Sequence, residues 1–269
     1  MRIAIAGATG VVGRHVLAAA QARGHDVLPL TRSTGHDLAR GAGPAGTSLA
    51  AALDGVDTVI DVASVQTTSA ARSRAFFTAV TSNLLRAERE GGVGHHVALS
   101  IVGIDGVDAS YFAGKLAQER LVAGGAVPHT ILRATQFHEF TEQVTARLSL
   151  GRLLTPIPIG RYRPVAAREV GARLVEVAEA APAGRARDLA GPREERLVEM
   201  VRRMFAHDGV RRPVVEFPFP GAYGRASASD VLRGGADADR GAVTFDDWLR
   251  SGDHTPIGSR TDAAASTRT

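Results

Sequence analysis

The feature that most constrains this chain is an alternation that runs from residue 2 to about residue 150. The apolar runs RIAIAG (2–7), HDVLPLTRS (25–33), VDTVIDVAS (56–64), HHVALSIVG (95–103) and PHTILRA (128–134) have the length and composition of buried strands. Between them VVGRHVLAAAQARG (11–24), SLAAALDG (48–55), SAARSRAFFTAVTSNLLRAEREGG (69–92) and SYFAGKLAQERLVAGG (110–125) read as helices. The Gly- and Ala-rich stretch 34–47 reads as loop. Strands that alternate with helices pack as a parallel sheet covered on both faces, so the expected class is α/β, a doubly wound parallel sheet.

Past residue 150 the pattern changes. LLTPIPIGRYRPV (153–165) is proline-rich and extended, 166–181 and 193–209 read as helices, 212–224 as a strand running into an aromatic loop, and 244–249 as a short last helix. The expected organisation is a core over 1–150, a smaller region over 151–250 that returns helices to the core and covers a substrate, and a disordered polar tail over 251–269.

The first strand and helix are joined by GATGVVG, which places glycines at 7, 10 and 13. In a strand–turn–helix setting this spacing suits a dinucleotide pyrophosphate. Gly7 makes the tight turn, Gly10 lets backbone approach the phosphates, and Gly13 lets helix and strand pack closely. The sheet is therefore expected to be of Rossmann type, with first-turn amides facing the phosphates. The second strand ends in Thr31-Arg32-Ser33, with no acid before Asp37. An acid there would repel a 2′-phosphate, whereas Arg32 attracts one, so NADP(H) is preferred over NAD(H).

One residue type is used once. Lys115 is the only lysine among 32 basic residues, and it stands four positions after Tyr111, one of three tyrosines. That spacing puts both on one helical face. Hydride reduction of a carbonyl leaves an alkoxide that needs a proton. A phenol can supply it, a nearby ammonium favours the phenolate left behind, and a hydroxyl such as Ser100 can fix the substrate oxygen. Tyr111, Lys115 and Ser100 are the expected catalytic residues, with Lys115 also bridging to ribose.

Taken together GATGVVG, LSIVG, YFAGK and TILRATQF resemble the short-chain dehydrogenase/reductase superfamily, and in particular its atypical NmrA-like, NAD(P)H-binding branch. The resemblance covers roughly residues 1–250. It implies that Thr9 and Val12 flank the glycines at the pyrophosphate and that Arg32 and Ser33 meet the 2′-phosphate. It also places Asp37 and Leu38 near the adenine, has Ala63 and Ser64 line the cofactor, and runs Ala134, Thr135, Gln136 and Phe137 past the nicotinamide. Asn83 matches a helix asparagine of part of the superfamily. The chain departs from the pattern twice. Only four residues separate Arg32 from Asp37, so the second crossover and its strand are shortened or missing. The Ser100-to-Tyr111 spacing is also slightly short.

The expected substrate pocket takes Gln66, Val102, Gln136, Phe137, His138, Phe219 and Tyr223, because small-molecule sites are mostly apolar. Adjacent strand residues face opposite ways, so His95-His96 does not chelate one ion, and no metal is expected. The formal charge is only +4 with arginines scattered, which argues against nucleic acid as a partner. No run reaches the roughly 20 apolar residues of a membrane span, and the opening lacks a signal-peptide pattern. With no cysteine, the cytoplasm is the expected location. The expected activity is NADPH-dependent reduction of a carbonyl or quinone-like small molecule. The alternatives are a non-catalytic NAD(P)H sensor acting through a protein partner, and an epimerase or dehydratase with tightly held cofactor. Oligomeric state stays open.

Overall fold

In the computed structural model, which describes residues 1–151 and 153–257, the alternating half folds as its pattern requires. In chain order it forms β1 (Arg2–Ala6), α1 (Gly13–Ala22), β2 (Asp26–Leu30), α2 (Leu49–Ala52), β3 (Thr58–Asp61), α3 (Ala70–Gly91), β4 (His95–Ile101), α4 (Ser110–Ala123) and β5 (His129–Ala134). These strands are parallel and lie in the order β2-β1-β3-β4-β5. Side chains alternate across the sheet. Ile3, Ile5, Ile60, Val62, Val97 and Leu99 pack beneath α1 on one face. Ala4, Ala6, Val59 and Ala63 pack under α2 and α3 on the other, and Ala98 and Ile131 pack there against Val122 of α4.

The shortened crossover is a real absence. Residues 34–47 form turns held by isolated bridges between Asp37, Ala42 and Ser48, and no strand forms outside β2. β2 is therefore an edge, one strand short of the usual half of such a sheet. Pro29 fits that position. Its carbonyl accepts from the Thr34 hydroxyl at 2.8 Å, on the side away from β1, so its missing N–H also falls on the open edge.

The second half continues with α5 (Phe140–Leu148), β6 (Thr155–Pro158), β7 (Arg161–Tyr162), α6 (Ala167–Glu179), β8 (Gly184–Arg185), β9 (Leu189–Ala190), β10 (Glu195–Arg196), α7 (Leu197–His207), β11 (Val214–Phe217), α8 (Gly221–Ala228), β12 (Asp239–Arg240) and α9 (Phe245–Leu249). α5 and α8 are helices where the sequence suggested none. β8, β9 and β12 extend the main sheet beyond β5, and α6 packs beside α1, so this half is woven into the first. The rest of it gathers around Trp248, Tyr162, Met200 and Phe245 as a second core that also takes Phe112 and Leu116 from α4. Residues 251–257, expected to start a disordered tail, are tied down through buried His254, which bonds Glu142 and Asp208. The remainder of that expected tail, 258–269, lies outside the described residues. No helix among the described residues is long and apolar enough to cross a membrane.

Candidate functional site

The site is built where β1, β3 and β4 end. Gly7 turns the chain with φ +85°, and a β-carbon there would lie 2.9 Å from the Ala63 backbone. Gly13 opens α1 so close to β1 that a β-carbon would lie 2.0 Å from the Gly7 carbonyl oxygen. Gly10 donates its N–H to Gly7 at 2.9 Å and is exposed beside exposed Thr9, leaving backbone open to a ligand. Val12 turns inward to the core, so only its backbone can serve. A close strand–helix junction with an exposed, side-chain-free middle fits a pyrophosphate.

At the end of β2, Thr31 caps the following turn through Thr34, and Ser33 Oγ lies 2.9 Å from Thr31 Oγ1. The Arg32 side chain is exposed and makes no hydrogen bond or ion pair among the described residues, while its carbonyl accepts from the Gly35 amide at 3.1 Å. Asp37 is occupied by the Arg40 amide at 3.2 Å and guanidinium at 3.5 Å. Leu38 is half-buried against the core under α3, and its carbonyl accepts from Asn83 at 3.0 Å. Asn83 therefore holds the loop that replaces the missing strand.

Tyr111 sits in the first turn of α4, edge-on to Phe77 with centroids 5.5 Å apart. Its phenol is 2.9 Å from the hydroxyl of Ser64, which is exposed just past β3. Burial pushes this phenol up to about 12, with the Ser64 hydrogen bond opposing and Asp61 adding to the rise. Ala63 is buried, and its N–H is bound by Asp61 at 3.0 Å. Gly7, Ala63, Ser64 and Tyr111 thus form a continuous path from the glycine turn to the phenol.

Neither of the other two expected catalytic residues bonds the phenol. Ser100 makes no hydrogen bond to Tyr111. It is buried on the face of β4 that carries Ala98, beneath α4, and its hydroxyl has no partner among the described residues. The period-2 alternation of the strand sends it there, and Ser64 holds the phenol instead. Lys115 does share a helical face with Tyr111, but its amine does not bond the phenol. It is buried, donates to the Leu99 carbonyl and Gln118 Oε1, and lies 4.7 Å from the Phe77 ring centroid. Burial lowers this amine to about 8, with Asp61 and Glu119 pulling the other way. The phenol is therefore raised by its burial rather than lowered, and no hydrogen bond joins it to the amine. Gly114 explains the placement: a β-carbon there would be 2.2 Å from Ser73 Oγ, so α4 lies hard against α3 and Lys115 is pressed toward the sheet.

Gln118 and Asp61 join Lys115 in the candidate site, and sequence reasoning missed both. Gln118 donates to Asp61 at 2.7 Å and accepts from Lys115, linking the amine to the end of β3. The signal was present, since Gln118 follows Lys115 by three positions on one helical face.

The expected pocket residues scatter. Gln66 is exposed, Val102 is buried with its N–H on the Ala134 carbonyl, Ala134 ends β5 beside Leu189, and Thr135 just after it donates to the Leu189 and Arg163 carbonyls. Gln136 and Phe137 lie half-buried against the Val165 segment. Tyr223 packs its ring 5.2 Å from Phe112 and 5.7 Å from Phe219, so these aromatics do reach the helix of Tyr111. His138 does not face a pocket. It is buried between Phe245 and Trp248, bonded to the Val243 carbonyl at 3.0 Å, and burial pushes it down to about 4. His95 and His96 do face opposite ways, to Thr130 and to buried Glu88.

Against known proteins, a family model described as NAD(P)H-binding matches residues 7–179. Compared with curated proteins by sequence, the chain matches none. Among solved structures it is similar to a short-chain dehydrogenase/reductase superfamily protein from Agrobacterium tumefaciens with bound NAD, at 18% identity, full coverage of both chains and a TM-score of 0.66. It is similar also to a nucleoside-diphosphate-sugar epimerase from Staphylococcus aureus, at 16% identity over 93% of this chain and 100% of that one, TM-score 0.70. A third is an NAD-dependent NDP-hexosamine 5,6-dehydratase involved in tunicamycin biosynthesis, at 17% identity over 93% and 95%, TM-score 0.68. With the glycine turn matched within the family model, the chain belongs to the NAD(P)H-binding family, and it shares its parallel-sheet fold with these structures.

Proposed function

We propose that the chain is an NADPH-dependent reductase of a carbonyl or quinone-like small molecule. The observation that carries this reading is the 2.9 Å pair between Tyr111 Oη and Ser64 Oγ, one residue beyond the Ala63 backbone on which the Gly7 turn rests. Gly7, Gly10 and Gly13 would hold the pyrophosphate, and the unpaired Arg32 would meet a 2′-phosphate. When bound, the nicotinamide supplies the hydride. Tyr111 remains protonated through the neutral range and gives its proton to the substrate oxygen, while the Ser64 hydroxyl shares that oxygen. The buried Lys115 amine adds positive charge beneath the helix turn as the phenol becomes phenolate. Phe219 and Tyr223 would wall an apolar substrate.

A second reading is favoured by the likeness to an epimerase and a dehydratase, whose overall architecture this chain shares. On it the same phenol serves internal hydride return on a tightly held cofactor. One experiment separates the readings. Purified protein is mixed with NADPH or NADH and a panel of quinones and aldehydes, wild type beside Tyr111→Phe. The expected result is tighter binding of NADPH, its oxidation by at least one panel member, and a loss of about 10²–10⁴-fold in kcat/KM in the variant with cofactor affinity kept. Copurified cofactor without net turnover would select the second reading. Tight NADPH binding with no oxidation on any member would select a sensor.

A further inference from the structure

Far along the chain from the cofactor turn, three residues brought together at the end of α7 form a cluster that the reductase reading does not use. His207 Nδ1 lies 3.1 Å from Asp208 Oδ1, and His254 Nε2 lies 2.7 Å from the same oxygen. The three ligand atoms all lie within 4.8 Å of one another. His254 is held from behind by Glu142, whose carboxylate takes its Nδ1–H at 2.7 Å. The ring therefore presents Nε2 to Asp208. A bare nitrogen lone pair 2.7 Å from a carboxylate oxygen is repulsive, so a positive centre must lie between them. A proton could be that centre for one imidazole. The second imidazole converging on the same oxygen can hold a proton of its own, and one metal ion bound by all three side chains would replace both protons.

We propose that His207, Asp208 and His254 form a site for a divalent transition metal of the zinc class. Two imidazoles and one carboxylate suit Zn²⁺ or Co²⁺ and disfavour Mg²⁺ or Ca²⁺, which take all-oxygen shells. Tetrahedral ligands about 2.0–2.1 Å from zinc stand roughly 3.3 Å apart; the His207 separation of 3.1 Å is near that spacing, and the His254 separation of 2.7 Å would have to open by roughly half an ångström on binding. The histidine is fixed as metal-bound imidazoles are, with a carboxylate on the far ring nitrogen. Asp208 is itself oriented, since its Oδ2 accepts from the Ile257 amide at 3.1 Å. The His254 side chain is buried, with the Trp248 ring 4.9 Å away, whereas the His207 side chain is 37% exposed. That exposed side supplies an entry path and room for a water as fourth ligand. The ion would staple residues 251–257 onto α5 and α7. This departs from the expectation of no metal, which weighed only the adjacent pair His95-His96. Positions 207 and 254 are neighbours only in three dimensions.

The test uses the full chain without a histidine tag, stripped with a chelator and titrated calorimetrically with ZnCl₂, and with CoCl₂ followed by visible absorption. One ion per chain, ligand-field bands of a four-coordinate cobalt site, and a raised unfolding temperature are expected. His207→Gln, at a partly exposed position, should fold and bind at least about tenfold more weakly, with the thermal gain lost. His254→Gln should do the same where it folds. Absence of stoichiometric binding, or equal affinity in wild type and His207→Gln, overturns the proposal and leaves a proton as the bridge. Neither result depends on NADPH binding or turnover.

Discussion

Ser64 and Ser100 are both hydroxyls at strand ends, yet only Ser64 meets the phenol. Replacing each by alanine separates their roles. Ser64→Ala is expected to lower kcat/KM about a hundredfold, the scale of losing one donor to a developing oxyanion. Ser100→Ala removes a buried hydroxyl that has no partner, so rate and unfolding temperature should stay near wild type. The reverse pattern in steady-state kinetics would reject Ser64. Lys115 carries the pH dependence. Burial places its amine at about 8, so it is charged below that pH and neutral above it. Its support for the phenolate is present at neutral pH and lost as pH rises. A pH–rate profile should fall above about 8, and Lys115→Met should be slower below that pH and lack that limb.

At the scale of elements α4 is the hub. It turns Phe112 and Leu116 to the second core, Lys115 and Gln118 to the sheet, and Gly114 to α3. Each direction is set by the 100° step of a helix, and the whole arrangement rests on how close α3 can come. Gly114→Ala would place a methyl 2.2 Å from Ser73 Oγ and 2.5 Å from the Phe77 ring. Overpacking of that kind costs about 1–3 kcal/mol, and it also shifts Tyr111, whose carbonyl accepts from Ser73 at 2.8 Å. Denaturant unfolding should show the loss of stability, and the proposed reductase activity should fall further than stability alone explains. Much of this helix was legible: its limits, its tyrosine and its lysine follow from YFAGKLAQERL. The direction of the amine was not, because a flexible side chain takes its direction from what packs around it.

The whole molecule is joined at Glu139. This carboxylate is buried where α5, α6 and α9 meet, accepting from Trp248 Nε1 at 3.0 Å and the Ala167 amide at 3.3 Å. Burial raises it to about 7 against an ordinary 4.5; its own backbone, Trp248 and Ala167 hydrogen bonds oppose the rise, and the Asp253 charge adds to it. Between those values the unfolded chain has lost the proton and the folded one keeps it. Stability is therefore fully present below pH about 4.5 and falls as pH rises to about 7, by on the order of 3 kcal/mol. Glu139→Gln should flatten that part of the curve, as thermal unfolding from pH 4.5 to 8 would report. An unchanged slope in the variant would show that the carboxyl titrates normally.

The sequence by itself determined the parallel sheet, the glycine turn and the place of Tyr111, because these rest on local periodicity and on neighbours within a few residues. It also signalled the lost crossover through the four residues between Arg32 and Asp37. Only the tertiary structure decided which serine meets the phenol, where the lysine amine goes, that His138 faces inward, and that His254 returns to Asp208. Those outcomes depend on residues far apart in the chain, such as Ser64 with Tyr111 and Asp61 with Gln118, whose meeting is set by the packing of helices on the sheet. Spacing along a chain carries no record of that packing.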